Sequence, residues 1–578
     1  MRPVVTVAAL LALAVAPATA RAYHPIVPSR AGQTIVLTGK TLTVDQVVAI
    51  ARDGARVRLS DAATRRSADA YGLLIEAAAE GVPVYWFNRG DGANRQVNIF
   101  TGDPLSPANE AMLTARELAI FKRGAAAGFP PEVDDEEVVR ATMAIRVNTM
   151  SYEAASPQLT AMLMALLNDR IAPVVYARGS VGEGDLVPLG NIGATMVGAG
   201  DAYYRGKRMS AARALQAAGL APLRPGVADD SALTPTNAYA AAIAALAVFD
   251  AKRALEWADV AYAMDLLGMN SSVTPIASDV QANRPIRPIV AEAARISSLL
   301  RGSYLYDADP DRIIQDPESL RASVQRQGAA WDAWTRLHAS LLLQINSSDH
   351  NPAVLVGASP SDGWDMRAPQ MMQFYVKGGP RSHGQHGYVL SDANWDPYPL
   401  ANDIEAFSLA LANMDVAVSQ RVRRFRSPFF TVVAARDVLG PIAYPPVQDY
   451  SDYLSGDLEH QVNAALNPVH PTGQALIGDV EDLQGEGDLK ATHARQMVEA
   501  TDGLLALDLL NGAYWIDVRA KQVPSRTFGP VPTAVWRALR AVVPLDSGTA
   551  LPARPNGVTA LRFMQAHPAA GFVSGGMP

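Results

Sequence analysis

The 578-residue chain contains no cysteine. That absence excludes disulfides, thiolate metal sites, thiol nucleophiles and a lipid-bearing cysteine behind a leader. Charge is also sparse: 19% of residues are charged, the formal net charge is −7 and the pI is near 5.8. Nucleic acid binding rests on clustered positive charge and is not expected. The one basic run, Arg421-Val-Arg-Arg-Phe-Arg426, fits a solvated helix end. No Gly-Lys-Ser or Gly-x-Gly-x-x-Gly loop opens a helix, so no nucleotide cofactor is expected. His383 and His386 stand three apart in a glycine-rich loop without a third ligand at defined spacing, so no metal is expected. Ser180 has no readable His-Asp pair, which argues against serine-hydrolase chemistry.

Hydrophobic residues make up 49% of the chain, enough to bury a large core. Residues 1–22 combine a short positive start, the apolar run Val4 to Val15 and a small-residue end, the pattern of an export signal. Beyond it no stretch reaches about 18 uninterrupted apolar residues, so no membrane attachment is expected after cleavage. The expected location is periplasmic or secreted. Thr34 to Thr38 is the clearest strand, β-branched and followed by Gly39. Pro157 to Leu167, Asn237 to Leu267 and Asn402 to Arg424 carry apolar residues at three- and four-residue spacing and read as helices. Gly357 to Arg367, Gly378 to Pro399 and Val523 to Pro555 are dense in proline and glycine and read as loops. The predicted protein is mainly α, with an N-terminal domain over 23–230, a central helical bundle over 231–480 and a C-terminal helical region over 481–578.

The most informative stretch runs from Pro173 to Leu189, with Gly179-Ser-Val-Gly182 followed by Glu183-Gly184-Asp185-Leu186 and Pro188-Leu189. It resembles the signature of the aromatic amino acid lyases, the family of histidine and phenylalanine ammonia-lyases. There a Gly-Ser-Val-Gly lead precedes an Ala-Ser-Gly tripeptide that cyclises into an electrophilic ring, MIO. Here one residue is missing and no serine stands at the cyclising position, so no MIO is expected. Further resemblances follow in the family's order. Pro83-Val-Tyr-Trp-Phe-Asn-Arg-Gly90 matches the segment of the catalytic tyrosine, which falls on Tyr85. Arg146-Val-Asn148 matches an Arg-x-Asn pair and makes Asn148 a candidate substrate contact. Gln315 to Arg321 matches a motif whose tyrosine is replaced by Glu318 and whose carboxylate-binding arginine is Arg321. Asn346 to Pro352, Ser419-Gln-Arg421 and Glu481-Asp482 match three later segments. The family's Asn-Gly-Thr appears as Pro235-Thr236-Asn237, and its His-Pro-Gly-Gln as Ile286 to Ile289.

The resemblance implies an all-α lyase fold with a long central bundle, a homotetramer whose sites are completed by neighbouring subunits, and a small amino-acid-like substrate. A nitrogen that is already quaternary leaves as a neutral amine and needs no electrophile. Such logic is found in ergothionase-like relatives, which release trimethylamine from betaines without MIO. Tyr85, Trp86 and Tyr375 offer aromatic faces to such a cation, worth about 0.5–2 kcal/mol each, and Glu183 and Glu318 add carboxylates. Arg321 would clamp the substrate carboxylate. Tyr85 is the expected base, which requires its phenol pKa to fall with help from Lys377, and Glu481 completes the catalytic set. The expected activity is MIO-independent elimination of an amine, trimethylamine included, from an aromatic or imidazole amino-acid derivative to give an acrylate. A non-catalytic exported ligand-binding protein and a conventional ammonia-lyase are the alternatives.

Overall fold

A computed structural model describes residues 22–182, 184–442, 451–466, 468–478, 480–546 and 550–573. The expected export signal, apart from Ala22, and Glu183 lie outside the described residues. The N-terminal portion is mixed. Strands β1 (Thr34–Leu37) and β2 (Arg56–Leu59) pair in parallel, with Ile35 opposite Val57 and Leu37 opposite Leu59. A short helix, Val44–Ala51, makes the crossover and starts in a capping box in which Thr43 and Gln46 satisfy each other's backbone N–H groups. Strands β3 (Ile171–Pro173), β4 (Asp201–Tyr204) and β5 (Lys207–Ser210) form an antiparallel sheet. In the third sheet β6 (Ala353–Val356), β7 (Tyr375–Val376) and β8 (Gly387–Leu390) lie in the order β6-β8-β7.

Helices dominate the rest. The central helix, Ala238–Met269, follows the predicted boundaries closely, and nearly all of its residues are buried. By length and hydropathy the run from Asp229 to Met269 would cross a membrane, yet 94% of the apolar window is buried inside the bundle. Its alanines let neighbours approach closely. Gly512 lies against Met264 and Asp265, and Gly268 lies so near Trp515 that a methyl group there would sit 2.7 Å from the Trp515 Cβ. These pairs run in the same order along both helices, so Gly487–Gln522 packs parallel to the central helix. Tyr398–Arg424 packs against Gly487–Gln522 and Ser323–Gln344, and Ser323–Gln344 runs antiparallel to the central helix, with Gln327 and Trp331 on Asp259 and Trp334 on the Val248 carbonyl.

Three expectations change. The bundle does not end near residue 480, because Gly487–Gln522 is one of its main helices. The proline-dense tract from Val523 to Pro555 contains the helix Pro530–Val542, whose first position is a proline, where a missing N–H costs nothing. Likewise β8 sits inside the tract read as a loop between Gly378 and Pro399.

Candidate active site

The segment 179–185 is held between two helix N-termini. Ser180 Oγ donates to Asp185 Oδ1 at 2.7 Å, while the other carboxylate oxygen accepts from the Tyr239 and Ala240 backbone N–H groups at 2.8 and 3.1 Å. Asp185 thereby caps the central helix, where the dipole favours negative charge. Its complete burial still pushes the carboxyl up to about 6, against the lowering effect of those bonds. On the other side Glu486 N–H donates to the Val181 carbonyl at 3.2 Å, just before the helix Gly487–Gln522. Gly182 has φ +82°, and a Cβ there would fall 2.2 Å from the Glu486 nitrogen, so only glycine fits. The segment has no Ala-Ser-Gly tripeptide, and its one hydroxyl, Ser180, is committed to Asp185. The residues present do not match the ring-forming set of the family.

A cavity of about 250 Å³ opens beside this segment. Tyr85, Trp86 and Asp91 enter from the strap 83–94, Phe121 and Arg123 from the helix Pro107–Gly124, and Leu186 and Val187 from the helix after the segment. Asp230, Leu233 and Thr234 come from the short helix Asp229–Leu233 and its end, and Ile477 and Glu481 from a turn at 476–481. The structure thus brings together three residues singled out in the sequence: Tyr85, Trp86 and Glu481. The two rings meet edge to face at 6.1 Å, and Trp86 takes a left-handed backbone with φ +58°. Such a conformation is unusual for a bulky residue and is held by the surrounding strap.

The phenol of Tyr85 behaves opposite to expectation. Burial pushes its pKa up, and the nearby Asp91 and Glu481 carboxylates push the same way; the Gly92 N–H, which donates to Tyr85 Oη at 3.1 Å, lowers it. Lys377 does not help, because it is absent from the cavity lining. It sits exposed at the end of β7, where its backbone N–H donates to Glu80 Oε2 at 3.0 Å. Tyr375 likewise belongs to the small sheet, its ring tilted against Tyr388 at 5.0 Å and His386 at 6.2 Å.

Asn148 is fully buried and its amide is spoken for: Oδ1 accepts from Gly39 N–H at 2.8 Å and Nδ2 donates to the Ile345 carbonyl at 2.7 Å. It ties β1's end to the Asn346 segment. Arg321 and Glu318 occupy one short turn, Glu318–Arg321, away from this chain's cavity lining. Arg321 Nε donates to the Asp316 carbonyl at 2.7 Å, and its other nitrogen lies 3.8 Å from Glu318, whose side chain is 87% exposed. Glu318 therefore faces outward, while Arg321 is half-buried.

Asp230 and Asp91 escaped the sequence reading. Asp230 is 7% exposed and lines the cavity, accepting from Trp86 Nε1 at 3.3 Å and Thr234 Oγ1 at 3.5 Å. Burial pushes its carboxyl up to about 6. Behind the cavity Arg146 pairs with Asp349 at 3.2 Å, and Asp349 also accepts from Thr236 Oγ1 and Asn237 N–H, at 2.6 and 3.0 Å. The variant Pro235-Thr236-Asn237 thus serves to anchor the later Asp349-His350 segment.

A family model described as aromatic amino acid lyase matches residues 42–541. The histidine ammonia-lyase of Sorangium cellulosum (strain So ce56) is 30% identical over 526 residues, covering 88% of this chain and 93% of the relative. That of Stigmatella aurantiaca is 29% identical over 525 residues, covering 88% and 92%. Among solved structures, the ergothioneine-degrading ergothionase of Treponema denticola, in complex with desmethyl-ergothioneine sulfonic acid, superposes with a TM-score of 0.75 at 25% identity, covering 92% of this chain and 99% of that one. Histidine ammonia-lyase from Trypanosoma cruzi shares the fold at a TM-score of 0.76 and 19% identity, covering 94% and 95%. With its mainly helical bundle, its ordered motifs and this match over most of its length, the chain belongs to the aromatic amino acid lyase family, carbon–nitrogen lyases that act on small amino-acid substrates.

Proposed function

We propose that this lyase eliminates a tertiary amine from a quaternary-ammonium derivative of an aromatic or imidazole amino acid, without MIO. The observation that carries the reading is the cavity beside residues 179–185: it is lined by three aromatic residues, Tyr85, Trp86 and Phe121, and three carboxylates, Asp91, Asp230 and Glu481, next to a segment that has no ring-forming tripeptide. In the reaction a base removes the proton on Cβ, a carbon–carbon double bond forms, and the carbon–nitrogen pair leaves with the amine. A trimethylammonium group departs as neutral trimethylamine, so the protein has only to take one proton. Tyr85 is the base in this reading. Its phenol holds its proton in the free protein, and the bound cation supplies the positive charge that favours phenolate. Glu481 and Glu183 complete the catalytic set.

Arg321, half-buried beside the exposed Glu318 and away from this chain's cavity lining, would clamp the carboxylate of a substrate held by a neighbouring subunit of a homotetramer. The leader pattern in residues 1–22 supports export to the periplasm or beyond.

Purified protein is incubated with histidine, phenylalanine, tyrosine and their trimethyl betaines, with ultraviolet detection of the acrylate and an assay of released amine. Turnover of betaines alone is the expected result. Turnover of the free amino acids, as the histidine ammonia-lyase relatives favour, would overturn the substrate assignment, and the loss of two waters in the intact mass would overturn MIO independence. Binding without turnover would leave a ligand-binding protein on a lyase scaffold.

A further inference from the structure

We infer that the corner made by the Asp230 carboxylate and the Trp86 indole is the seat of the substrate's fixed positive charge, a methylated ammonium group. This rests on the reading above and names the residues that select the cation. A carboxylate withdrawn from water costs several kcal/mol unless it is paired and hydrogen-bonded. Asp230 is 7% exposed, has no salt bridge among the described residues, and receives only the two long side-chain bonds from Trp86 and Thr234. Its unspent charge faces the cavity. The indole whose N–H it accepts lines that cavity too, and indole is the best π partner for an ammonium that has no N–H to donate. Phe121, Leu186, Val187 and Leu233 supply an apolar wall suited to methyl groups and offer no side-chain acceptor for a primary ammonium.

The surrounding charges leave the seat anionic. Glu117 lies beneath it, with Oε2 accepting from the Asp230 N–H at 2.6 Å, and burial beside Asp230 and Asp229 holds the Glu117 carboxyl well above its usual range. Asp229 turns away to Ser156 and Gly226. Asp91, Glu481 and the phenol of Tyr85 share the cavity with Asp230. Of the cations on the helix Pro107–Gly124, Arg116 lowers the Asp230 pKa from a distance, and Arg123 reaches the lining but is exposed and solvated. With its carboxyl near 6, Asp230 is charged at pH 7.5 and becomes neutral as the pH falls through 6.

The test is binding of tetramethylammonium chloride to the purified full-length protein by calorimetry, at constant ionic strength, with methylammonium and the neutral tert-butanol as comparators. Tetramethylammonium is expected to bind best, at least tenfold more weakly to Asp230→Asn, and roughly tenfold more weakly at pH 5 than at pH 7.5. Trp86→Leu, which leaves the carboxylate in place, is expected to weaken tetramethylammonium while sparing methylammonium, and it serves if Asp230→Asn does not fold. Equal affinity in both variants, equal binding of tert-butanol, or affinity unchanged across that pH range would overturn the assignment. Because binding is read without turnover, a protein that seats tetramethylammonium but leaves betaines intact keeps this corner and loses the lyase reading; one that consumes betaines with Asp230→Asn unaffected does the reverse.

Discussion

Two buried clusters of charge in this molecule use the same residue types to opposite ends. In the bundle, Arg421 reaches Asp265 and Asp508 at 2.6 Å each and Ser323 Oγ at 2.6 Å, and all three charged side chains are wholly buried. Burial and the nearness of Asp508 hold the Asp265 carboxyl well above its usual range, while the Arg421 guanidinium between the two acids pulls it back down. At the cavity, Asp230 makes no salt bridge among the described residues, and the Arg123 guanidinium on the same lining is exposed to solvent. A cluster that closes on itself is scaffold; one that leaves charge facing a cavity awaits a ligand. The distinction lies in whether the opposite charge is built into the chain.

The largest effect should come from opening the closed cluster. Arg421→Met leaves two buried acids without their cation and is expected to cost about 3–5 kcal/mol, read from denaturant unfolding. Adding Asp265→Asn and Asp508→Asn should recover part of that loss; no recovery would mean that the arginine acts by packing alone.

Next in size is a change on the cavity side. Tyr85→Phe should lower turnover by about 10²–10⁴-fold with little change in unfolding, since the hydroxyl accepts a single backbone bond from Gly92. Because burial raises the phenol pKa in the free protein, kcat/KM should climb with pH above neutrality. A variant with undiminished turnover would remove Tyr85 from the chemistry.

A smaller effect sharpens the comparison through pH. Asp415 is fully buried between Tyr398–Arg424 and Gly487–Gln522, accepts from Thr501 Oγ1 at 2.6 Å, and is pushed up to about 8 by burial. Its folded pKa exceeds the unfolded value of about 3.9, so its stabilisation is complete below the unfolded pKa and is lost as pH rises through 8. Asp415→Asn should therefore gain melting temperature over wild type as pH climbs from about 5 to 8, by a few degrees. A gap that stays constant with pH would show that Asp415 does not titrate there.

The sequence made the family fold legible because its motifs stand in order along the chain and the central helix announces itself by apolar spacing from Asn237 onward. Pro530–Val542 was hidden because prolines read as breakers unless they happen to open a helix. At the site, Tyr85, Trp86 and Glu481 were found by motif, whereas Asp230 was not. Its tract, Val227-Ala-Asp-Asp-Ser231, looks like an ordinary acidic helix start, and only the fold brings Trp86 to it from 144 residues away. Lys377 and Tyr375 looked promising beside Gly378-Gly379, but those glycines serve the turn of a small sheet: Gly378 has φ +93° and packs on the Gln385 carbonyl. The Tyr85 pKa failed for a related reason. Which charges surround a phenol is decided by parts of the chain that no local pattern records.

Because Asp185 is fastened to the first turn of the central helix and Gly182 is pressed on the start of Gly487–Gln522, the floor of the cavity is part of the bundle rather than a loop laid over it. Grafting the absent residue and its serine back into this stretch would not be a local edit. The added length would press on the starts of two of the molecule's longest helices, so this stretch and the bundle would have to shift together.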